Sequence, residues 1–351
     1  MCEFLKSVWY IAGWSSEVAA DRPLARTIAD TKVVFFRNAQ GKLAALQDRC
    51  PHRLVPLSRG RIVNGALECG YHGLQFDSSG DCVANPHGPI SRALCVASYQ
   101  VAEKFGLLWL WLGDPSKAKF DAIPDMSAVK QEAVTIRGYL PVRAHHMLLV
   151  DNILDLSHGD YLHNAALGSR GATTRARTRY EENEDSVLAE WFAGKDPGGV
   201  AILRAELPDP TALADNWTEV RWHTGGAVML KTGMAPAGEP RERGVVAHVI
   251  HAMTPETASS SHYFYSAWRN YRSEDAEYTH AMEQAVRYGF EVEDKPMIEA
   301  QQEALAGQEF MSLKPSLLGI DTASVRARRL YDRVLAAEAS SKGVLSQAGD
   351  S

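Results

Sequence analysis

Long apolar runs, blocks of Lys or Arg, and cysteine are all scarce in this 351-residue chain. No window is long enough to span a bilayer, and the apolar N-terminal stretch MCEFLKSVWYIAGWSSE is short, broken by aromatics and Gly13, and has no basic leading segment or small-residue cleavage site. Export and membrane insertion are therefore not expected, and a reducing cytoplasm is. The formal net charge of −6, without a basic block, gives no footprint for nucleic acid or for an anionic membrane. A small, diffusible partner fits better. Five cysteines, Cys2, Cys50, Cys69, Cys82 and Cys95, are too few and too irregular for a disulfide framework. There is no internal repeat, and no Gly-x-Gly-x-x-Gly at a strand-to-helix turn that would carry a flavin or nicotinamide of the chain's own.

The length and the 45% apolar content allow two domains with separate cores. To about residue 112 the pattern is short and strand-like: TKVVFFRNAQGKLAALQDRC alternates β-rich runs around a turn at 38–41, and FGLLWLWLGD closes the region. The polar, Pro-containing segment 113–126 reads as a linker, with a boundary near 115. Beyond it, HHMLLVDNILDLSHGDYLH has helical character. Strand candidates follow at EVRWHTGGAVMLKTGM, GVVAHVIHAMT and SSHYFYSAW, then helical patterns at SEDAEYTHAMEQAVRYGF and TASVRARRLYDRVLAAEA. The expected fold class is α+β: an all-β domain over 1–115, a sheet packed on helices over 116–338, and a flexible tail over 339–351. EENEDS, from Glu181, reads as a solvated turn.

Two constellations carry the chemistry. The first is Cys50-x-His52, sixteen residues, then Cys69-x-x-His72, so each of two loops offers one thiolate and one imidazole. Common structural zinc patterns instead pair Cys with Cys and His with His. One of each per loop suits a 2Fe-2S cluster with both cysteines on one iron and both histidines on the other. Gly70 and Gly73 would let backbone N–H groups approach the sulfurs, and Pro51 stiffens the first loop. Cys82 and Cys95 lie outside the loops and read as small buried hydrophobes.

The second constellation begins at Asp155-x-x-His158-x4-His163. Five residues place the histidines about 140° apart on a regular helix, so both can face one metal only where the helix distorts or ends, as Gly159 would allow. Asp155, three residues before His158, could hold that imidazole's tautomer through its carboxylate. Two histidines with one carboxylate would form a non-haem Fe(II) site. The carboxylate candidates are Glu291, Glu293, Asp294 and Glu299, and Asp294 competes with a role as N-cap before Pro296.

With CPHR, CGYHGLQFD, DNILDLSHGDYLH, MTPETASSSHYFY, EDKPMIEAQQ and DTASVRARRL in place, the sequence resembles the Rieske non-haem iron oxygenases, in particular the oxygenase components of the vanillate and dicamba O-demethylase group. The resemblance implies a Rieske domain followed by a helix-grip catalytic domain. It implies Asp294 as the third iron ligand beside His158 and His163, Asp155 as a bridge towards a Rieske histidine, and Asn152 as a residue near the iron. It also implies a head-to-tail homotrimer, O2 as co-substrate, and electrons from NAD(P)H through a separate flavin and iron-sulfur reductase. The expected reaction is O-demethylation of a vanillate-like aromatic acid. N-demethylation, methyl hydroxylation or ring oxygenation are alternatives, as is an electron carrier with a non-catalytic binding domain. A strand at GVVAHVIHAMT puts His248 and His251 on opposite faces, and His251 is the candidate donor to a substrate oxygen or carboxylate.

Overall fold

The computed structural model describes residues 4–130, 133–163 and 167–348; Cys2 and residues 349–351 lie outside them. The chain divides into two units, Met1–Ile123 and Pro124–Ser351. In the first unit, ten strands run in order: β1 (Trp9–Trp14), β2 (Leu24–Ile28), β3 (Thr31–Arg37), β4 (Leu43–Gln47), β5 (Arg61–Val63), β6 (Ala66–Glu68), β7 (Gln75–Phe76), β8 (Cys82–Ala84), β9 (Ser98–Lys104) and β10 (Leu107–Trp111). They form a six-stranded sheet, β1-β10-β9-β4-β3-β2, and a four-stranded sheet, β5-β6-β7-β8. WYIAGW in β1 and LLWLW in β10 are buried on both faces, as their near-continuous apolar character requires. Phe36, Leu46, Leu57, Leu67 and Phe76 form one core cluster that also contains Cys50 and Cys69.

The boundary falls after Ile123, not near 115. Pro115–Lys117 and Phe120–Ala122 are 3-10 turns that fold back on β1: Trp9 Nε1 donates to the Lys119 carbonyl at 2.9 Å, and its ring lies 5.4 Å from that of Phe120. A polar, Pro-containing composition concealed this aromatic anchor. Cys82 is buried as expected, but Cys95, which reads as a buried hydrophobe in the sequence, is exposed, with Sγ 3.5 Å from Asp81 Oδ1.

The second unit contains β11 (Ile136–Val142), α1 (His146–Leu154), the single turn α2 (Ala172–Arg175), β12 (Arg177–Glu182), β13 (Ser186–Asp196) and the single turn α3 (Ala201–Arg204). These are followed by β14 (Ala214–His223), β15 (Ala227–Pro236), β16 (Val245–Thr257), β17 (Ser260–Arg269), α4 (Ala276–Tyr288), α5 (Lys295–Ala304) and α6 (Thr322–Ala348). The seven strands form an antiparallel sheet, β11-β17-β16-β15-β14-β13-β12. Strands β12 to β17 are successive hairpins, and β11 lies beside the last of them. Asp294 ends a π-helical turn, Gly289–Asp294, between α4 and α5. Helix α6, which ends at Ala348, extends over most of the stretch from 339 that composition suggests as a flexible tail.

Helix α6 holds α1 in place. Arg328 Nη2 lies 2.5 Å from Asp151 Oδ2, with side-chain exposures of 11% and 18%, and Arg328 Nε lies 3.1 Å from both Asp151 oxygens. Replacing Arg328 with Met leaves the Asp151 carboxylate without its cation, and the expected loss is about 3 kcal/mol in urea unfolding. Arg328→Lys should recover part of it.

Candidate metal centres and substrate cavity

The two loops of the first constellation are built alike. Cys50 N–H donates to the Val55 carbonyl at 2.8 Å and Cys69 N–H to that of Leu74 at 2.7 Å; Leu54 N–H returns to the Cys50 carbonyl at 2.9 Å and Gly73 N–H to that of Cys69 at 3.0 Å. The fourth residue after each cysteine has positive φ, 61° at Leu54 and 73° at Gly73. Glycine meets that demand without strain, and Leu54 meets it at some cost. Gly70 has a different reason from the one its sequence position suggested: a Cβ there would stand 2.9 Å from the Arg59 carbonyl oxygen, so it permits close backbone packing.

Cys50 and Cys69 are 2% and 1% exposed. Burial pushes the Cys50 thiol up to about 11, opposed by the backbone N–H groups of His52 and Arg53 on its sulfur; Cys69 faces it closely enough to raise it further. The His52 and His72 ring centroids are 4.5 Å apart, nearer the surface. Thiols therefore pair below and imidazoles above, across the two loops. That segregated donor set, with N–H groups directed at a sulfur, fits a 2Fe-2S cluster with mixed ligation.

In the second constellation, α1 ends at Leu154 and a 3-10 turn, Leu156–Asp160, follows, so His158 and His163 escape the spacing of a regular helix. Their rings are 5.2 Å apart. Asp294 stands between them: His158 Nε2 is 3.5 Å from Asp294 Oδ1 and His163 Nε2 is 3.5 Å from Oδ2. The three ligand atoms lie within 4.8 Å of one another. Asn152 Nδ2 donates to Asp294 Oδ1 at 3.2 Å. Burial raises the Asp294 carboxyl, opposed by His158, His163 and Asn152.

The other ring nitrogens are already bound. His158 Nδ1–H donates to the backbone carbonyl of Asp155 at 2.5 Å, and His163 Nδ1–H to Glu293 Oε2 at 2.8 Å. Each Nε2 is thus the ring nitrogen turned towards Asp294 and the one placed to bind a metal, with Nδ1 held by its own partner. The Asp155 carboxylate was expected to hold His158; instead it caps the 3-10 turn, accepting from Ser157 N–H at 3.0 Å, because the chain bends before His158 and presents the carbonyl to the ring. The remaining carboxylates also sort themselves. Glu299 pairs with Arg143 at 2.8 Å and Glu291 with Arg287 at 2.9 Å. Asp294 makes no capping bond to α5. Glu293 was only a competing ligand in the sequence; a π turn, which lets neighbouring acids reach the two sides of one imidazole, left no sequence signal.

The triad opens on a cavity of about 190 Å³. Side chains at alternate positions of β14 to β17 line it, and α4, α5 and the π turn cover it. His251 is 2% exposed; its Nδ1 is 2.8 Å from Tyr263 Oη, and its Nε2 is buried without a hydrogen-bond partner among the described residues. Burial holds this imidazole down to about 3, so it is neutral at physiological pH, and burial keeps the Tyr263 hydroxyl protonated. His248 takes the other face and contacts the Ala128 carbonyl at 2.9 Å.

Glu293→Gln is expected to weaken Fe(II) or Co(II) binding at the triad by ~10–100-fold, since a second-layer partner of a ligating histidine is lost. Metal retained after chelator dialysis measures it, with secondary structure unchanged.

Known proteins show the same two parts. The model of the Rieske [2Fe-2S] domain matches residues 8–100, and that of the vanillate O-demethylase oxygenase C-terminal domain matches residues 142–337. The oxygenase component of dicamba O-demethylase from Stenotrophomonas maltophilia is 38% identical over 342 residues, covering 96% of this chain and 99% of the relative. The oxygenase component of chloroacetanilide N-alkylformylase from Rhizorhabdus wittichii is 34% identical over 351 residues, covering 99% and 100%. The crystal structure of dicamba monooxygenase bound to dicamba superposes with a TM-score of 0.85 at 35% identity, covering 97% of this chain and all of that one. Two loops of mixed ligation, a histidine–carboxylate triad on a covered sheet, and matches along nearly the full length converge: this chain belongs to the Rieske non-haem iron oxygenases, in the family of the vanillate O-demethylase oxygenase subunits.

Proposed function

We propose that the chain is the terminal oxygenase of a Rieske-type monooxygenase that O-demethylates a methoxylated, vanillate-like aromatic acid to a phenol and formaldehyde. The observation that carries this reading is the triad of two convergent imidazole nitrogens and one carboxylate opening directly on a covered, largely apolar cavity. An electron carrier would leave that convergence without a role. Cys50, His52, Cys69 and His72 would hold the cluster, and His158, His163 and Asp294 the mononuclear iron. When bound, these groups supply single electrons and dioxygen activation.

The chain's own residues do the rest. Phe290, Tyr263 and Tyr265, with ring centroids 4.9 to 5.7 Å apart, form an aromatic wall for a substrate ring. With Tyr263 donating to Nδ1, neutral His251 carries its proton on Nε2 and donates to a substrate oxygen. Asn152 holds one oxygen of Asp294, which fixes the carboxylate's orientation. The overall balance is one ether, O2, two electrons and two protons in, and phenol, formaldehyde and water out. A hydroxylated methyl forms a hemiacetal that breaks its C–O bond to release both products. The electrons come from NAD(P)H through a separate reductase. Within a homotrimer in the cytoplasm, the Asp155 carboxylate, which is not engaged with His158, would bridge to a cluster histidine of the next subunit.

The same cavity suits oxidation at an N-alkyl carbon, a reading supported by the full-length match to an N-alkylformylase component. Product analysis separates the two. With a compatible reductase, NADH and O2, the expected result is formaldehyde and a phenol in equal amounts from methoxylated benzoates, abolished in Asp294→Ala. Dealkylated amine from N-methylated anilines offered in parallel, with no phenol from the benzoates, would select N-dealkylation, and NADH oxidation with neither product would reject demethylation. Asp155→Asn should retain iron, because the His158 bond is to backbone, yet turn over at least ~10-fold more slowly.

A further inference from the structure

The cavity has a second polar end. Directly opposed residues of antiparallel strands share a face of the sheet, so strand register sorts the cavity lining into cross-strand rows. His251 opposes Tyr265 at the metal end, where its ring lies 5.8 Å from Phe290 of the π turn carrying Asp294. Two positions along comes an apolar row of Leu230, Val249 and Ala267. Two positions further, Thr218, Thr232, Ala247 and Arg269 form the next row. Four strand residues separate this row from His251 by ~13 Å.

Arg269 is 3% exposed. Its Nε donates to the Tyr271 carbonyl at 3.0 Å, and its Nη2 to the Arg272 carbonyl at 2.9 Å and to Thr279 Oγ1 at 2.6 Å. The rings of Tyr271 and Tyr278 stand 5.7 and 5.2 Å from the guanidinium carbon. Every one of these partners is neutral. No carboxylate pairs with Arg269 among the described residues, and its Nη1 is buried without a hydrogen-bond partner. Buried Arg328 by contrast has Asp151, and buried Arg204 spends its nitrogens on the carbonyls of Asp196, Gly198, Pro210 and Ala212. A buried guanidinium with two N–H groups to spare calls for an anion. Across from it, the hydroxyls of Thr218 and Thr232 lie 2.9 Å apart. Small Ala247 between Thr232 and Arg269 leaves a slot two strand spacings, ~10 Å, across.

We infer that Arg269, with Thr232 and Thr218 across Ala247, is the anion subsite of the substrate cavity, taking a carboxylate or sulfonate carried at the end of an elongated aromatic substrate away from the oxidised carbon. The apolar row of Leu230, Val249 and Ala267 would pack the ring between the two polar ends. This rests on the oxygenase reading for which end is oxidised, and it narrows the substrate to acids whose anion and alkyl group lie at opposite ends.

The test is calorimetric binding to the full-length, metal-loaded protein without reductase, using 4-methoxycinnamate and its neutral carboxamide. The acid is expected to bind about 30-fold more tightly or better. Arg269→Gln should abolish that preference while leaving carboxamide affinity within about threefold, and Arg269→Lys should keep part of it. A purely structural arginine would lower both affinities together, which overturns the proposal. Should the Gln variant fail to fold, the wild type and the Lys variant decide: absence of an acid preference in the wild type, or one unchanged in Lys and in Thr232→Val, overturns it. Failure of the oxygenase reading looks different, since acid-selective binding would persist while no formaldehyde or phenol formed.

Discussion

A carboxylate buried between two imidazoles governs the second unit. Asp294 is removed from water and raised by that burial, and its neighbours His158 and His163 are each turned so that Nε2 faces it while Nδ1 is held by another partner. Such a centre is costly without a cation. The bonds from Nδ1 to the Asp155 carbonyl and to Glu293 keep it in a metal-ready state, and they require the features around them: a helix that ends before His158, and a π turn that delivers two adjacent acids to the same imidazole.

The sheet converts this centre into a site with direction. Hairpins from β12 to β17 hold register across adjacent strands, so side chains at alternate positions present graded rows: polar and aromatic beside the metal, aliphatic in the middle, and a cation with hydroxyls at the far end. In the first unit, two loops with matching hydrogen bonds place thiols inside and imidazoles outward. Both centres use backbone geometry to choose which atom of a side chain is offered.

Much of this was legible in the sequence because ligand chemistry imposes spacing. Cys50, His52, Cys69 and His72 announce themselves, as do His158 and His163, and strand alternation separates His251 from His248. Other features depend on structure that spacing does not encode. The carbonyl of Asp155, not its carboxylate, holds His158. Glu293 gains its role only from the π turn. Trp9 ties the apparent linker to the first unit, and exposure of Cys95 depends on where its loop lies. Arg269 is invisible in sequence because one of many arginines becomes notable only when burial is compared with its partners.

The central claim is that one chain carries two different iron centres, and the most direct test counts them. Iron and acid-labile sulfide are measured on anaerobically prepared protein, in the wild type and in His158→Ala. The account predicts a two-iron, two-sulfide cluster plus one further iron in the wild type, with only the further iron lost in the variant. Zinc without labile sulfide, or an iron count that His158→Ala leaves unchanged, would contradict it.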